Sequence, residues 1–315
     1  MRISGDYFRF VFLALLGASA PAAAITLDGQ LDPEYGPPVV VQAIATNSGN
    51  NARGVIDWSD GSELDALHAT LDGETLYLFL AGNQLSQANP SDPGFFADFL
   101  NLYFDTRPGG QHVLRSDNFD VGDFPGHNAL NGCAGLAFDP GFEADYWFAD
   151  FPTGDPTWGF GPFRLHAWTA ELLTAGGGPG DYLGWTAAGP GAGLAGGTNP
   201  FGVQVAIDNR NVAGVPAGCA AASEAAVTTG IEWAIPLAAL GNPAGCVRVV
   251  AFFVYKGMYG VGNQSLPPMP AGTCSFVAAS TLDFGALAGQ QSVSLCGLPV
   301  PATRGTWGRL KSLYR

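Results

Sequence analysis

Positive charge is scarce in this chain: 13 Lys and Arg stand against 27 Asp and Glu in 315 residues, a net charge of −14. That excludes a nucleic-acid partner, since a phosphate-binding face needs a footprint of basic side chains. Charge of either sign is thin, at 13% of residues, while 47% are hydrophobic; a disordered chain has the opposite balance. Beyond the first residues no apolar run is long enough to span a bilayer as a helix. No CxxC pair, no HxxxH pair and no GxSxG elbow occurs, so a zinc site or a hydrolase nucleophile lacks its usual sequence support. What is plentiful is glycine (45) and proline (23), which disfavour long helices and helical bundles.

The apolar pattern is short, alternating and punctuated by Gly, Pro, Asn and Asp, which predicts strands. The clearest hairpin joins residues 65–71 (DALHATL) and 75–81 (TLYLFLA) through Asp72-Gly73. Leu67, Ala69 and Leu71 share one face of it, as do Leu76, Leu78 and Leu80. Residues 99–105 (FLNLYFD) follow the same rule, and further strands are expected at 39–46, 144–150, 163–169, 201–208, 228–235, 247–255 and 291–295. A single helical turn is expected at 236–240, with proline at its first position. Residues 176–197 hold ten glycines and read as loop, interrupted only by residues 181–186. Strands without intervening helices imply an all-β fold, a two-sheet antiparallel β-sandwich or jelly-roll-like arrangement with Gly-rich loops. One domain over residues 25–297, followed by a tail over 298–315, is the expected organisation.

Residues 1–24 combine Arg2 and Arg9, an apolar run over 10–16 and the ending Ala22-Ala23-Ala24, the parts of a secretory signal peptide cleaved after Ala24. Ser19 and Pro21 break the run, which argues against an anchor. The protein is therefore expected outside the cytoplasm, secreted or at the cell surface, where its five cysteines are disulfide material. Cys246 with Cys274 is the preferred pair, because each sits beside a turn glycine (Gly245, Gly272) at the ends of one strand-and-loop segment. Cys133 with Cys219 is the weaker choice, and Cys296 is left over. The tail carries Arg304, Arg309, Lys311 and Arg315 and no acid. It reads either as a peptide for a sorting or attachment partner or as a terminus docked by charge on an acidic body.

Two segments suggest binding chemistry. Asp117, Asn118, Asp120 and Asp123 place four oxygen-bearing side chains in seven residues. A structural calcium wants about six to eight oxygens from such a loop, although Asp and Asn are also ordinary turn formers. Trp147, Trp158, Trp168 and Trp185 fall close together in sequence, with Tyr146, Phe148, Phe151, Phe160 and Phe163 among them. Sugar rings stack their C–H faces on indoles while polar groups take the hydroxyls; alternate strand positions filling a core account for such residues equally well. The sequence GAGLAG at 191–196 matches a dinucleotide fingerprint in letters only, since it lies in glycine-rich surroundings with no strand and helix to frame it. No pair of carboxylates stands out for glycoside hydrolysis.

Several segments occur in a familiar order: ITLDGQLD with Tyr35-Gly36 at the start, GSELD at 61–65, LYLFLAGN at 76–83, YFDTRPGG at 103–110 and GIEWAIPL at 230–237. In that order the chain resembles the β-sandwiches of family 9 carbohydrate-binding modules and DOMON-type domains. More closely, it resembles a set of exported bacterial proteins, some with a C-terminal surface-sorting segment. The resemblance implies a jelly-roll-like sandwich, structural calcium and glycan or ligand binding without catalysis. It transfers no site: the paired sugar-clamping tryptophans of the family 9 modules have no match here, and TWGRLKSLYR at 306–315 stands where the sorting segment would be. The expected function is a non-catalytic module binding a carbohydrate or another cell-surface polymer. A self-associating matrix protein comes second, a polysaccharide hydrolase third.

Overall fold

The computed structural model describes residues 24–47, 52–59, 61–86, 98–119, 130–154, 161–191, 193–211, 218–222, 226–255, 260–274 and 277–296. Residues 1–23 of the expected signal, the tail, Trp158, Asp120 and Asp123 lie outside them. In chain order the strands are β1 (Val40–Val41), β2 (Ala52–Val55), β3 (Trp58–Ser59), β4 (Glu63–Asp72), β5 (Thr75–Asn83), β6 (Phe99–Asp105), β7 (Tyr146–Thr153) and β8 (Arg164–Leu173). They continue with β9 (Gly176–Thr186), β10 (Ala195–Gly196), β11 (Gln204–Ile207), β12 (Gly230–Pro236), β13 (Val247–Tyr255), β14 (Gly260–Leu266), β15 (Val277–Ala278) and β16 (Val293–Leu295). No α-helix occurs among the described residues, and the turn expected near 236–240 is a 3-10 turn, Leu237–Leu240.

Two antiparallel sheets pack as a sandwich. One has five strands, β1-β4-β5-β12-β11; the other has nine, β10-β9-β8-β7-β6-β13-β14-β15, with β16 also paired to β13. Alternation explains how the larger sheet is buried on both faces. In β6, Leu100, Leu102 and Phe104 point into the core between the sheets, while Phe99 and Tyr103 point outward. Tyr146 and Phe148 of β7 face inward, Trp147, Ala149 and Phe151 outward. The outward residues are covered by Leu130, Leu136, Phe138 and Phe142 from the segment before β7 and by Leu282 and Phe284 from that after β15. The β4–β5 hairpin closes as its sequence predicts, with Leu67 opposite Leu80 and Leu71 opposite Leu76, all in or against the inner core.

Three expectations are corrected. Residues 176–180 are not loop but strand, continuous with 181–186 in the eleven-residue β9. Glycine serves close approach here: a Cβ on Gly177 would lie 1.9 Å from the Asp117 carbonyl oxygen, and one on Gly180 would lie 2.3 Å from the Phe119 ring. The segment before it therefore lies directly on the strand. Of residues 39–46 only Val40–Val41 is strand; beyond them the Gln42 side-chain amide donates to the Ser265 carbonyl of β14, and Asn47 and Asn263 each donate a backbone N–H to the other's side-chain oxygen. The strand β14 itself was unexpected, because its Asn263, Gln264 and Ser265 are polar yet buried, held by these same amides rather than by an apolar face.

The cysteine pairing also differs from the expectation of Cys246–Cys274 and Cys133–Cys219. Cys246 bonds Cys296, Cys219 bonds Cys274, and Cys133 is free and buried. The register of β13 with β16 sets Val247 opposite Leu295, so the next residues along, Cys246 and Cys296, stand 4.4 Å apart at Cα, within disulfide reach. Cys219 lies in a segment that runs along residues 43–46, where the Ala45 N–H donates to the Ala220 carbonyl and the Gly218 N–H to that of Thr46. Asn47 donates to the Cys274 carbonyl, which brings the second partner to the same place. Burial pushes the Cys133 thiol up to about 12. Two disulfides suit an oxidising compartment, and none of the described helical segments is long and apolar enough to cross a membrane.

Candidate functional site

The outer face of the nine-stranded sheet changes character at β8 and β9. Arg164, His166 and Trp168 occupy alternate positions of β8 and share that face. Register places Trp185 opposite His166 and Tyr182 opposite Trp168, with an irregularity between Ala167 and Trp168 that keeps both rings on this side. From β7, Thr153 pairs with Arg164 and Phe151 with His166. The floor is buried: Trp168 is 1% exposed and Phe151 3%. Phe99 stacks on Phe151 with ring centroids 4.2 Å apart and lies 5.9 Å from Trp168.

Above that floor the rings become accessible and acquire polar ends. His166 bonds through Nδ1 to the Tyr182 hydroxyl at 2.8 Å and through Nε2 to Thr153 Oγ1 at 3.0 Å. Its ring packs against those of Trp168 (6.0 Å) and Tyr182 (5.8 Å), which are themselves 5.5 Å apart. Burial, aided by the positive Arg164, pushes His166 down to about 4, so at neutral pH it is an uncharged imidazole with one nitrogen donating and the other accepting. Tyr182 and Trp185 are half-buried and Arg164 is exposed. The Arg164 guanidinium lies 4.2 Å from the Trp185 ring centroid, in cation–π contact. The result is an aromatic shelf with a hydroxyl, an indole edge and a guanidinium at its rim.

Of the tryptophans singled out in the sequence, the fold brings Trp168 and Trp185 together, the first as support and the second at the rim. Trp147 has no exposed surface, and its Nε1 donates to Asn101 Oδ1 at 2.8 Å; it is core and has no ring face to offer. Trp158 lies outside the described residues. Arg164, His166 and Tyr182 were missed, although the alternation R-x-H-x-W over 164–168 was the available signal.

In the oxygen-rich loop, both Asp117 carboxylate oxygens accept from Arg115 at 2.7 Å. Asn118 exchanges bonds with the Gln111 amide, at 2.6 and 3.2 Å, and its backbone is held by Asn131. Asp120 and Asp123 are outside the described residues, among which no group of three or more His, Cys, Asp or Glu side chains is placed to hold a metal.

A second polar cluster explains why the opening motif and the β12 motif occur together. Glu232 of β12 is fully buried on the outer face of the five-stranded sheet. Its Oε2 accepts from the Asp28 and Gly29 N–H groups at 2.9 and 3.0 Å, and its Oε1 accepts from the Tyr35 hydroxyl at 2.7 Å. Burial raises its carboxyl to about 7 against those bonds. Likewise Asp145, fully buried, accepts from the Thr106 and Arg107 N–H groups at 2.7 and 2.9 Å and fixes the turn after β6. Both clusters are structural fasteners, whereas among the described residues of the β8–β9 shelf aromatic and polar groups reach solvent together. No protein-family profile, no curated protein and no solved structure matches the chain, whose architecture is that of an all-β protein of two antiparallel sheets.

Proposed function

We propose that this protein is an exported, non-catalytic module that binds a carbohydrate or another cell-surface polymer on the β8–β9 shelf. The observation that carries the reading is the half-exposed Tyr182 and Trp185 on a buried aromatic floor, with the Tyr182 hydroxyl oriented by His166 and Arg164 fixed on the Trp185 ring. Rings held rigidly lose little freedom on binding, and an apolar face rimmed by a few polar groups is what a sugar ring requires. The two disulfides and the resemblance to sugar-binding sandwiches support the same reading.

The test is affinity electrophoresis and calorimetry of the purified protein against cellulose, xylan, dextran, polygalacturonate and their oligosaccharides, with Trp185→Ala as the site variant. Saturable binding to at least one member, weakened about tenfold by Trp185→Ala, is the expected outcome. Binding to none of them, or binding unaffected by the substitution, overturns the reading. Running the series in calcium and in chelator reads any contribution of the loop carrying Asp117 and Asn118.

A further inference from the structure

Five arginines have described side chains, and four of them hold carboxylates. Arg107 pairs with Asp145 and Glu171, Arg115 with Asp117, Arg210 with Asp208, and Arg248 with Asp105. Arg164 differs: it lies exposed, its guanidinium carbon 4.2 Å from the Trp185 ring centroid, and pairs with no acid among the described residues. This is unexpected in a chain with twice as many acids as bases, where an exposed cation readily finds a carboxylate. Among the described residues, the groups that the register places beside it are uncharged: Thr153 across the strand pair, neutral His166 on the same face, and the Tyr182 and Trp185 rings.

From this we infer that the shelf selects anionic saccharides, those carrying a carboxylate or sulfate on the sugar ring. The inference rests on the binding reading above and adds the ligand's charge. A guanidinium is a planar fork of N–H donors that matches a carboxylate or sulfate in two parallel bonds. Stacking on the indole holds Arg164 in one orientation without using those donors. A ring whose C–H face meets Tyr182 and Trp185 would present an equatorial acid group to Arg164. The acidic remainder of the protein repels polyanions at long range, so specificity comes from this one contact rather than from a basic field.

The experiment measures affinity for polygalacturonate, dextran sulfate, neutral dextran and poly-glutamate, using the intact protein, Arg164→Ala, Arg164→Lys and Trp185→Ala. The inference expects polygalacturonate or dextran sulfate to bind about tenfold or more tightly than dextran, the difference one charge-assisted bond supplies. Arg164→Ala should erase that preference, and Arg164→Lys should restore part of it. Polygalacturonate and dextran sulfate together tell carboxylate from sulfate selection. Anion binding indifferent to Arg164→Ala overturns the inference, as does poly-glutamate binding equal to that of the acidic polysaccharides. If Trp185→Ala weakens all saccharides alike while Arg164→Ala weakens none, the shelf stands and the charge selection fails. If no saccharide binds, both fail.

Discussion

The two faces of the nine-stranded sheet are built from different materials. The inner face, against the five-stranded sheet, is largely aliphatic: Leu100, Leu102, Leu165, Leu183, Val247 and Val249 meet Leu67, Leu78, Leu80 and Ile231. The outer face is aromatic, with Tyr103, Trp147, Phe151, Trp168 and Phe252 packed under Phe138 and Phe284. Aliphatic side chains have no polar atom and serve burial alone. Tyr, Trp and His carry one, and can pass gradually from core to surface if that atom is bonded. On the outer face His166 meets this condition at both nitrogens. On the inner face, alternation with Phe148 points Asp150 between the sheets, where it is fully buried. The Gln84 amide and the Trp233 indole face it, yet neither carboxyl oxygen completes a hydrogen bond. Burial accordingly raises Asp150 to about 8. Among the described residues, it is on the aromatic face that rings with bonded polar atoms run from core to surface.

The contrast is sharpest in how stability responds to pH. Asp150 binds its proton more tightly folded than at its ordinary value of 3.8, so its contribution is fully present below about pH 4 and is lost as pH rises toward 8. The slope is at most about 1.4 kcal/mol per pH unit. Glu232 acts in the same direction up to about pH 7. His166 acts in the opposite one: its proton is held less tightly than at 6.5, so its contribution is present above 6.5 and is lost as pH falls toward 4. Asp150→Asn should flatten the decline on the alkaline side and stabilise the protein most at pH 8. His166→Gln should flatten the acid side only. Urea unfolding at half-unit pH steps reads both, and equal slopes in parent and Asp150→Asn would show that the inner-face acid does not titrate with the fold.

One substitution on each face tests the two directly. Leu102→Ala on the inner face should lower unfolding free energy by about 2–5 kcal/mol, the transfer and cavity terms together. Tyr182→Phe, which keeps the outer ring and removes the hydroxyl that bonds His166, should lower it by about 1 kcal/mol. The smallest effect is expected at the rim: Trp185→Ala should change thermal stability by no more than about 1 kcal/mol while abolishing most ligand affinity. A large loss of stability there would mean that Trp185 belongs to the core.

Much of the framework was legible because alternation survives in strands buried on one or both faces. β5, β6, β12 and β13 lie where period-two patterns put them. β9 was hidden because its glycines are chosen by what lies on top of them, Asp117 and Phe119, a contact no local pattern records. β14 was hidden because amides distant in sequence satisfy its buried polar residues. The Cys246–Cys296 disulfide followed from the β13–β16 register, and Cys219–Cys274 from the bonds that residues 45–47 make to both segments, neither of which residue spacing encodes. Aromatic density located the neighbourhood of the shelf, but whether a tryptophan is rim or core depends on the covering segment. Trp147 and Trp185 look alike in sequence for that reason.

Glu232 sets an order of events. The N–H of Gly29 bonds a carboxylate 203 residues further along, and the Tyr35 hydroxyl one 197 residues along. β5 waits similarly, since Leu80 finds its partner Ile231 only when β12 exists. Contacts so distant in the chain form slowly, because the intervening loop must close before they contribute. A ribosome makes a chain from its N-terminus, so Asp28, Gly29 and Tyr35 emerge about two hundred residues before the carboxylate that fastens them. Until β12 has been made, these three residues lack that partner, and this edge of the five-stranded sheet stays open.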